Sequence, residues 1–184
     1  EQRDVFGVEA ALDREYFRGL AERANALPDA SGRDLRRLVG VLIDQVNVVW
    51  LLRYRHVFGL EPAHAYYLLV PAGRHLDGRR LLDLVKLGAP EDVLEALPPA
   101  LRRWVKDVRG IDEAEGALRG ATARVARAVL GFTAFNAARP CAYLLLREWQ
   151  LWQLYGVMEG ARLGLSQDAV CAAARLPAAA TERR

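Results

Sequence analysis

Proline and glycine cut this chain into pieces whose apolar residues recur every three or four positions, a pattern that admits helices and little else. In LDREYFRGLAERANAL, Leu12, Tyr16, Phe17, Leu20, Ala24 and Leu27 fall at helical spacing, and Pro28 closes the segment. SGRD follows, with Ser31 placed as an N-cap and Asp34 three residues on, a capping-box pattern. The spacing predicts a long helix from there to about Phe58, ended by Gly59, a residue suited to the left-handed turn after a helix. Pro62 fits the first turn of the next helix, Asp77 can cap another that Gly88 ends, and Pro90 opens a small one through Leu97. Beyond Pro98-Pro99, ALRRWVKDVRG reads as a short helix. DEAEGALRGATARVARAVLGFTAFNAA reads as a long one, acidic in its first turn as the helix dipole prefers. Pro140 starts a further long helix, Ser166 caps a last short one, and Pro177 begins a flexible tail, 177–184. Sustained period-2 alternation and Asn-Gly hairpin turns are absent, so the expected fold class is all-α.

The stretch DQVNVVWLLRYR, Asp44 to Arg55, poses a problem for any such fold. It is apolar enough for a core, yet it carries Asp44, Asn47, Arg53 and Arg55, and a buried charge is costly unless paired. At about 100° per residue, Arg37, Asp44, Val48 and Arg55 share one stripe, with Asn47 and Leu51 beside it and Arg53 on the other side. The steps along that stripe are too long for pairs within one helix, which need three or four residues. Asp44 is therefore expected to look to a neighbouring helix for an arginine. Two readings stand: a satisfied lattice that fixes packing register, or side chains lining a cavity for a partner. In the last long helix Arg147 and Glu148 interrupt an apolar run, and Leu144, Leu151, Tyr155 and Met158 form one face, read as packing. Trp149 and Trp152 read as core or interface anchors. Leu42, Val46, Val49, Leu130, Phe132 and Leu151 are expected to be buried.

Composition narrows the function more by exclusion than by assertion. Apolar residues make up 52% and charged residues 27% of the 184 positions, the balance of a folded globular chain. A formal charge of +3, with the basic pairs Arg36-Arg37, Arg79-Arg80 and Arg102-Arg103 scattered among acids, does not make a nucleic-acid stripe. Cys141 and Cys171 read as a reduced pair, not a disulfide framework. No signal peptide is visible, and no apolar run reaches the ~18 residues of a membrane span. His56, His64 and His75 lack ligand-spaced companions, and neither a phosphate loop nor a dinucleotide fingerprint is present. The Asp112, Glu113 and Glu115 cluster sits where solvated acids ordinarily sit, at a helix N-terminus. No cofactor, metal or catalytic residue is expected.

The order of elements recurs. Residues 12–60 and 112–165 each end a long helix in Gly-Leu ahead of a short capped helix, and NVVWLL aligns with QLWQLY, an internal duplication with insertions. Units at 9–97 and 98–176 follow, meeting at Pro98-Pro99. LDREYFRGL, DQVNVVWLLRYRHVFGLEP, LLVPAGRHLDGRRLLDLV and RPCAYLLLREWQLWQLYGVMEGARLGLSQD together resemble the C-subunit family of the V-type (A-type) ATPases of archaea and bacteria, whose eukaryotic counterpart is the V-ATPase d-subunit. The resemblance rests on Asp44, Asn47, Arg53 and Gly59-Leu60, on Pro71 and Gly73, and on Tyr143-Leu144, Arg147-Glu148 and Gly164-Leu165. Gln150, Gln153 and Tyr155 depart from the Glu, Asn and Arg that the family tends to carry in the last long helix.

The resemblance implies related helical units about a pseudo-threefold axis, two of an expected three being present, with the first outside this sequence, in keeping with a start at Glu1. It implies a non-catalytic rotor component, a socket that couples the central stalk to the membrane proteolipid ring during proton or sodium ion transport. Such a component would be peripheral, at the cytoplasmic face, without a transmembrane segment of its own. Asp44, Asn47, Arg53, Arg55, Arg147 and Glu148 become candidate structural or partner-interface residues. The rival is a helical adaptor unrelated to a rotary ATPase, whose usual period of about 34 residues is far shorter than the spacing of roughly 100 found here.

Overall fold

The computed structural model describes residues 2–132 and 136–174. These build nine α-helices, with no strand among the described residues. α1 (Gln2–Ala26) and α2 (Asp29–Leu52) fold back on one another through Leu27-Pro28. Pro28, not Ser31, sets the start of α2. Its φ of −55° suits a helix boundary, and its carbonyl accepts the Gly32 N–H at 2.7 Å, which puts Ser31 inside the helix. α2 then runs into one π-type turn, Arg53–Val57, where the Phe58 N–H donates to the Arg53 carbonyl, five residues back, at 2.9 Å. The extra residue in that turn shifts the phase of everything beyond Leu52.

Short helices follow, α3 (Pro62–Leu68), α4 (Gly78–Leu84), α5 (Pro90–Ala96) and α6 (Pro99–Arg102). Pro62, Pro90 and Pro99 occupy first turns, and the Asp77 carboxylate caps α4 by accepting the Arg80 N–H at 2.8 Å. α4 stops at Leu84, before Gly88, and only Pro99–Arg102 of the segment after Pro98 is helical. α7 (Ile111–Phe132) carries Asp112 and Glu113 in its first turn. α8 (Ala138–Arg162) begins ahead of Pro140, where Asn136 Oδ1 accepts the Ala138 N–H at 2.9 Å. Ser166 Oγ accepts the Ala169 N–H at the start of α9 (Gln167–Ala173).

α2 is the spine. Its Val48, Leu51 and Leu52 enter one apolar cluster with Leu69, Leu76, Leu81, Val93 and Leu118, while Leu38, Val39 and Ile43 enter a second with Val70, Ala126, Val129 and Ala142. Each cluster draws residues from both sides of Pro98-Pro99. Of the residues expected in the core, Val49 is buried, Leu42, Val46 and Leu130 are half-buried, and Leu151 is exposed; the Phe132 side chain lies outside the described residues. The most buried line of α2 runs through Ile43, Asn47, Val48 and Leu51, with Asp44 also fully buried, so Leu42 and Val46 fall to its sides.

Gly59 and Gly164, at φ of 63° and 67°, end the α2 extension and α8 in the left-handed region that side chains resist. Alanine at either position is expected to lower stability by about 1–2 kcal/mol. Gly88→Ala, where a Cβ meets open space, is expected to have little effect. Urea unfolding of the three variants checks this.

Candidate functional site

Asp44 and Asn47, one helical turn apart on α2, both face the loop that joins α3 to α4. The Asn47 side chain donates from Nδ2 to the Val70 carbonyl at 2.8 Å and accepts the Val70 N–H on Oδ1 at 2.9 Å, as a paired peptide would. The Asp44 carboxylate accepts the His75 and Leu76 amides at 3.0–3.1 Å. The Arg74 N–H donates to the Gly40 carbonyl, one turn earlier on α2, at 3.1 Å. Contact this close requires glycine: a Cβ on Gly73 would collide with Asp44 Oδ1. The partner expected for Asp44, an arginine from a neighbouring helix, is thus replaced by main-chain amides. Burial pushes the Asp44 carboxyl up to about 6, against the pull of the His75, Leu76 and Arg74 amides and of the Arg74 charge.

Arg53 and Arg55 leave the π turn in different directions. Arg53 pairs with Glu115 of α7 at 2.8 Å, with Asp112 nearby at 3.9 Å, and Glu115 also pairs with Arg119. Arg55 donates to the Val85 carbonyl at the end of α4 at 2.8 Å, and to the Leu60 carbonyl. Arg55 therefore does not continue a charge line with Asp44. Arg147 lies apart from these on exposed α8, donating to Gln150 at 2.9 Å beside the Tyr143 ring, and Glu148 is exposed.

The face of α8 read as packing is open to solvent. Leu144, Leu151, Tyr155 and Met158 are each more than 60% exposed, as is Trp152, with Tyr143 and Leu154 beside them. Only the opposite side of α8, through Ala138, Cys141, Ala142, Leu145 and Leu146, joins the core, while Gly160 and Gly156 receive Val170 and Ala174 at the α9 end. The signal lies in the sequence: AYLLLREWQLWQLY is apolar on more sides than one neighbour can cover. Between α7 and α8 runs a groove of about 750 Å³ lined by Arg53, Glu115, Arg119, Arg127, Trp149 and Trp152. A second apolar stripe, Val8, Leu12 and Tyr16, stands exposed on α1.

Among the described residues no group of three or more His, Cys, Asp or Glu side chains could hold a metal, and no helix is long and apolar enough to cross a membrane. An all-helical scaffold with a braced spine and an open apolar wall is the class of protein in hand. The family model described as the ATP synthase (C/AC39) subunit matches residues 1–172, and the chain belongs to that family of V/A-type ATPase subunits. No curated protein and no solved structure matches it.

Two outcomes are expected at Asp44. Asp44→Ala leaves buried amides without an acceptor and should cost about 3–5 kcal/mol in urea unfolding. The folded-state pKa lies above the ordinary 3.8, so the folded chain takes up this proton first. The stability Asp44 contributes, measured as wild type minus Asp44→Asn, should therefore fall as pH rises from about 4 to about 6 and level off above.

Proposed function

We propose that this chain is a non-catalytic rotor socket, joining the central stalk of a V/A-type ATPase to the membrane proteolipid ring at its cytoplasmic face. The observation that carries the reading is the exposed wall of α8, where Leu144, Leu151, Trp152, Tyr155 and Met158 all stand open to solvent on one helix. Its Trp152 and Tyr155 are residue types that dominate interface energetics when desolvated, and Met158 is of a type enriched at interfaces. The stalk docks there, and the α1 stripe supplies a second apolar surface, so one chain can hold two partners at once. The polar candidates divide accordingly. Asp44, Asn47, Arg53 and Arg55 tie α2 and its π turn to the 69–76 loop, α4 and α7, and Arg147 and Glu148 lie on the α8 face itself, between Leu144 and Leu151.

Torque has to pass through such a component without shear, and internal bonds that tie α2 to the 69–76 loop, to α4 and to α7 suit that duty. The units 9–97 and 98–176 are two of three related by a pseudo-threefold axis, sharing their apolar clusters across Pro98-Pro99. Proton or sodium transport belongs to the assembly, and this chain turns over no ATP by itself. A helical adaptor outside any ATPase gains no support from a specific observation.

Leu144→Arg combined with Leu151→Arg is expected to leave the unfolding midpoint of the isolated chain within about 0.5 kcal/mol of wild type, since both are exposed. Capture of co-expressed central-stalk subunits should weaken by about thirtyfold or more. Undiminished capture by the double variant would sink the α8 assignment. Failure of the wild-type chain to bind either stalk or detergent-solubilised ring would sink the socket.

A further inference from the structure

A cleft of about 200 Å³ opens between α2, the 69–77 loop and α7, apart from the α8 wall. Arg37 of α2, Arg74 and His75 of the loop, and Arg103 beyond α6 all line it, with Trp104 as an aromatic wall, and no lining residue is acidic. The Trp104 ring is itself flanked by cations, the Arg103 and Arg124 guanidinium carbons lying 4.8 and 4.3 Å from its centroid. His75 titrates below its ordinary range, first because it is partly buried and then because Arg74, Arg80 and Arg103 surround it with positive charge. The nearest buried acid, Asp44, is already engaged by the amides of His75 and Leu76 beneath the loop. So much positive charge from separate elements around one small cleft favours an anion there.

A second observation says which kind. Gln45, only 7% exposed, lines the same cleft, and its side-chain oxygen is buried without a hydrogen-bond partner. A buried acceptor left unpaired is costly, and Gln45 is one of the residues that line the cleft the arginines surround. Arginines supply donors to an oxyanion but cannot be supplied by it; Gln45 Oε1 needs a donor in return. An anion that carries both acceptor oxygens and one O–H satisfies both sides. Hydrogen phosphate does so, whereas sulfate at neutral pH has no proton to give.

We propose that this cleft is a phosphate site, in which Arg37, Arg74 and Arg103 hold the anionic oxygens and Gln45 accepts the P–OH hydrogen. At about 200 Å³ the cleft has room for inorganic phosphate. Occupancy also bears on the fold, because Arg74 and His75 belong to the loop that Asp44 clamps, so a bound anion ties that loop to α2 a second time. The site is independent of the α8 docking face and of the rotor role.

Calorimetric titration of the 184-residue chain with sodium phosphate at pH 7.5, ionic strength held constant with chloride, tests it. One saturable site per chain is expected, with sulfate at least about tenfold weaker. Arg37→Gln and Arg103→Gln, both exposed and so harmless to folding, should each weaken phosphate by about tenfold or more. Arg147→Gln on α8 should change nothing. Gln45→Leu should erase the preference for phosphate over sulfate, and phosphate should raise the Tm of the wild type but not of the Arg37→Gln/Arg103→Gln pair. Absence of saturable heat at tens of millimolar, equal binding of phosphate and sulfate, or wild-type affinity in the arginine pair would each overturn the assignment.

Discussion

A loop that drives its ends into the core of a helical protein must find partners for the peptide groups it buries, and here two side chains of one helix provide them. Residues 69–76 carry Leu69, Val70 and Leu76 into the two apolar clusters, so the backbone at those positions is withdrawn from water and its N–H and C=O groups need acceptors and donors. Asn47 offers both at Val70, and Asp44 offers two oxygens at His75 and Leu76. The shortness of Asp and Asn is part of the mechanism. A longer Glu or Gln would hold the loop away from α2, and the contact already requires Gly73, whose absent Cβ leaves room for the Asp44 carboxylate. Remove this clamp and Leu69, Val70 and Leu76 lose the position from which they close both clusters.

Stiffness and adhesiveness are assigned to different helices. α2 spends its polar groups inward: Asp44 and Asn47 on the loop, Arg55 on the carbonyls of Leu60 and Val85, Arg53 on Glu115. The Arg53 and Glu115 pair, with its half-exposed guanidinium, contributes little net stability by itself. What it supplies is geometry, since it fixes the turn after α2 against the first turns of α7. α8 does the reverse. It commits small residues such as Ala138 and Ala142 to the core and leaves its large ones outside. That division is what one member of a larger assembly needs, a shape that holds before the partner arrives and a surface that is stable only after it does.

Much of the fold is legible in the sequence because local rules decide it. Pro62 and Pro90 in first turns, Asp77 as a cap, and Gly59 and Gly164 as left-handed stops depend only on neighbouring residues, and they stand where local chemistry puts them. The π turn at Arg53–Val57 is not legible, since nothing local distinguishes RYRHV from ordinary helix, and the phase of Arg55 is lost with it. Asp44 is recognisable as a group that must be paired, but its partner lies 31 residues away in a loop whose amides have no sequence identity to read. The same limit works in reverse on α8. An apolar face at helical spacing looks alike whether a neighbouring helix or a second protein covers it, and only the positions of α2, α7 and α9 show which residues are left over.

Charge shows the same gap between inventory and arrangement. A net +3 over 184 residues describes a nearly balanced chain, yet it conceals a contrast between two groups of arginines. Arg36, Arg53 and Arg55 are engaged with internal acceptors, a carbonyl or a carboxylate, at 2.8–2.9 Å in each case. Arg37, Arg74 and Arg103 come from distant parts of the sequence to one cleft without an acid among its lining residues. Arg36 and Arg37 are neighbours in the chain and lie about 100° apart on α2, which is enough to send one guanidinium to the Leu27 carbonyl and the other to the cleft. The potential that a small anion meets in the cleft is set by that second group, because the donors of the first are committed to acceptors elsewhere and its field fades at short range in salt.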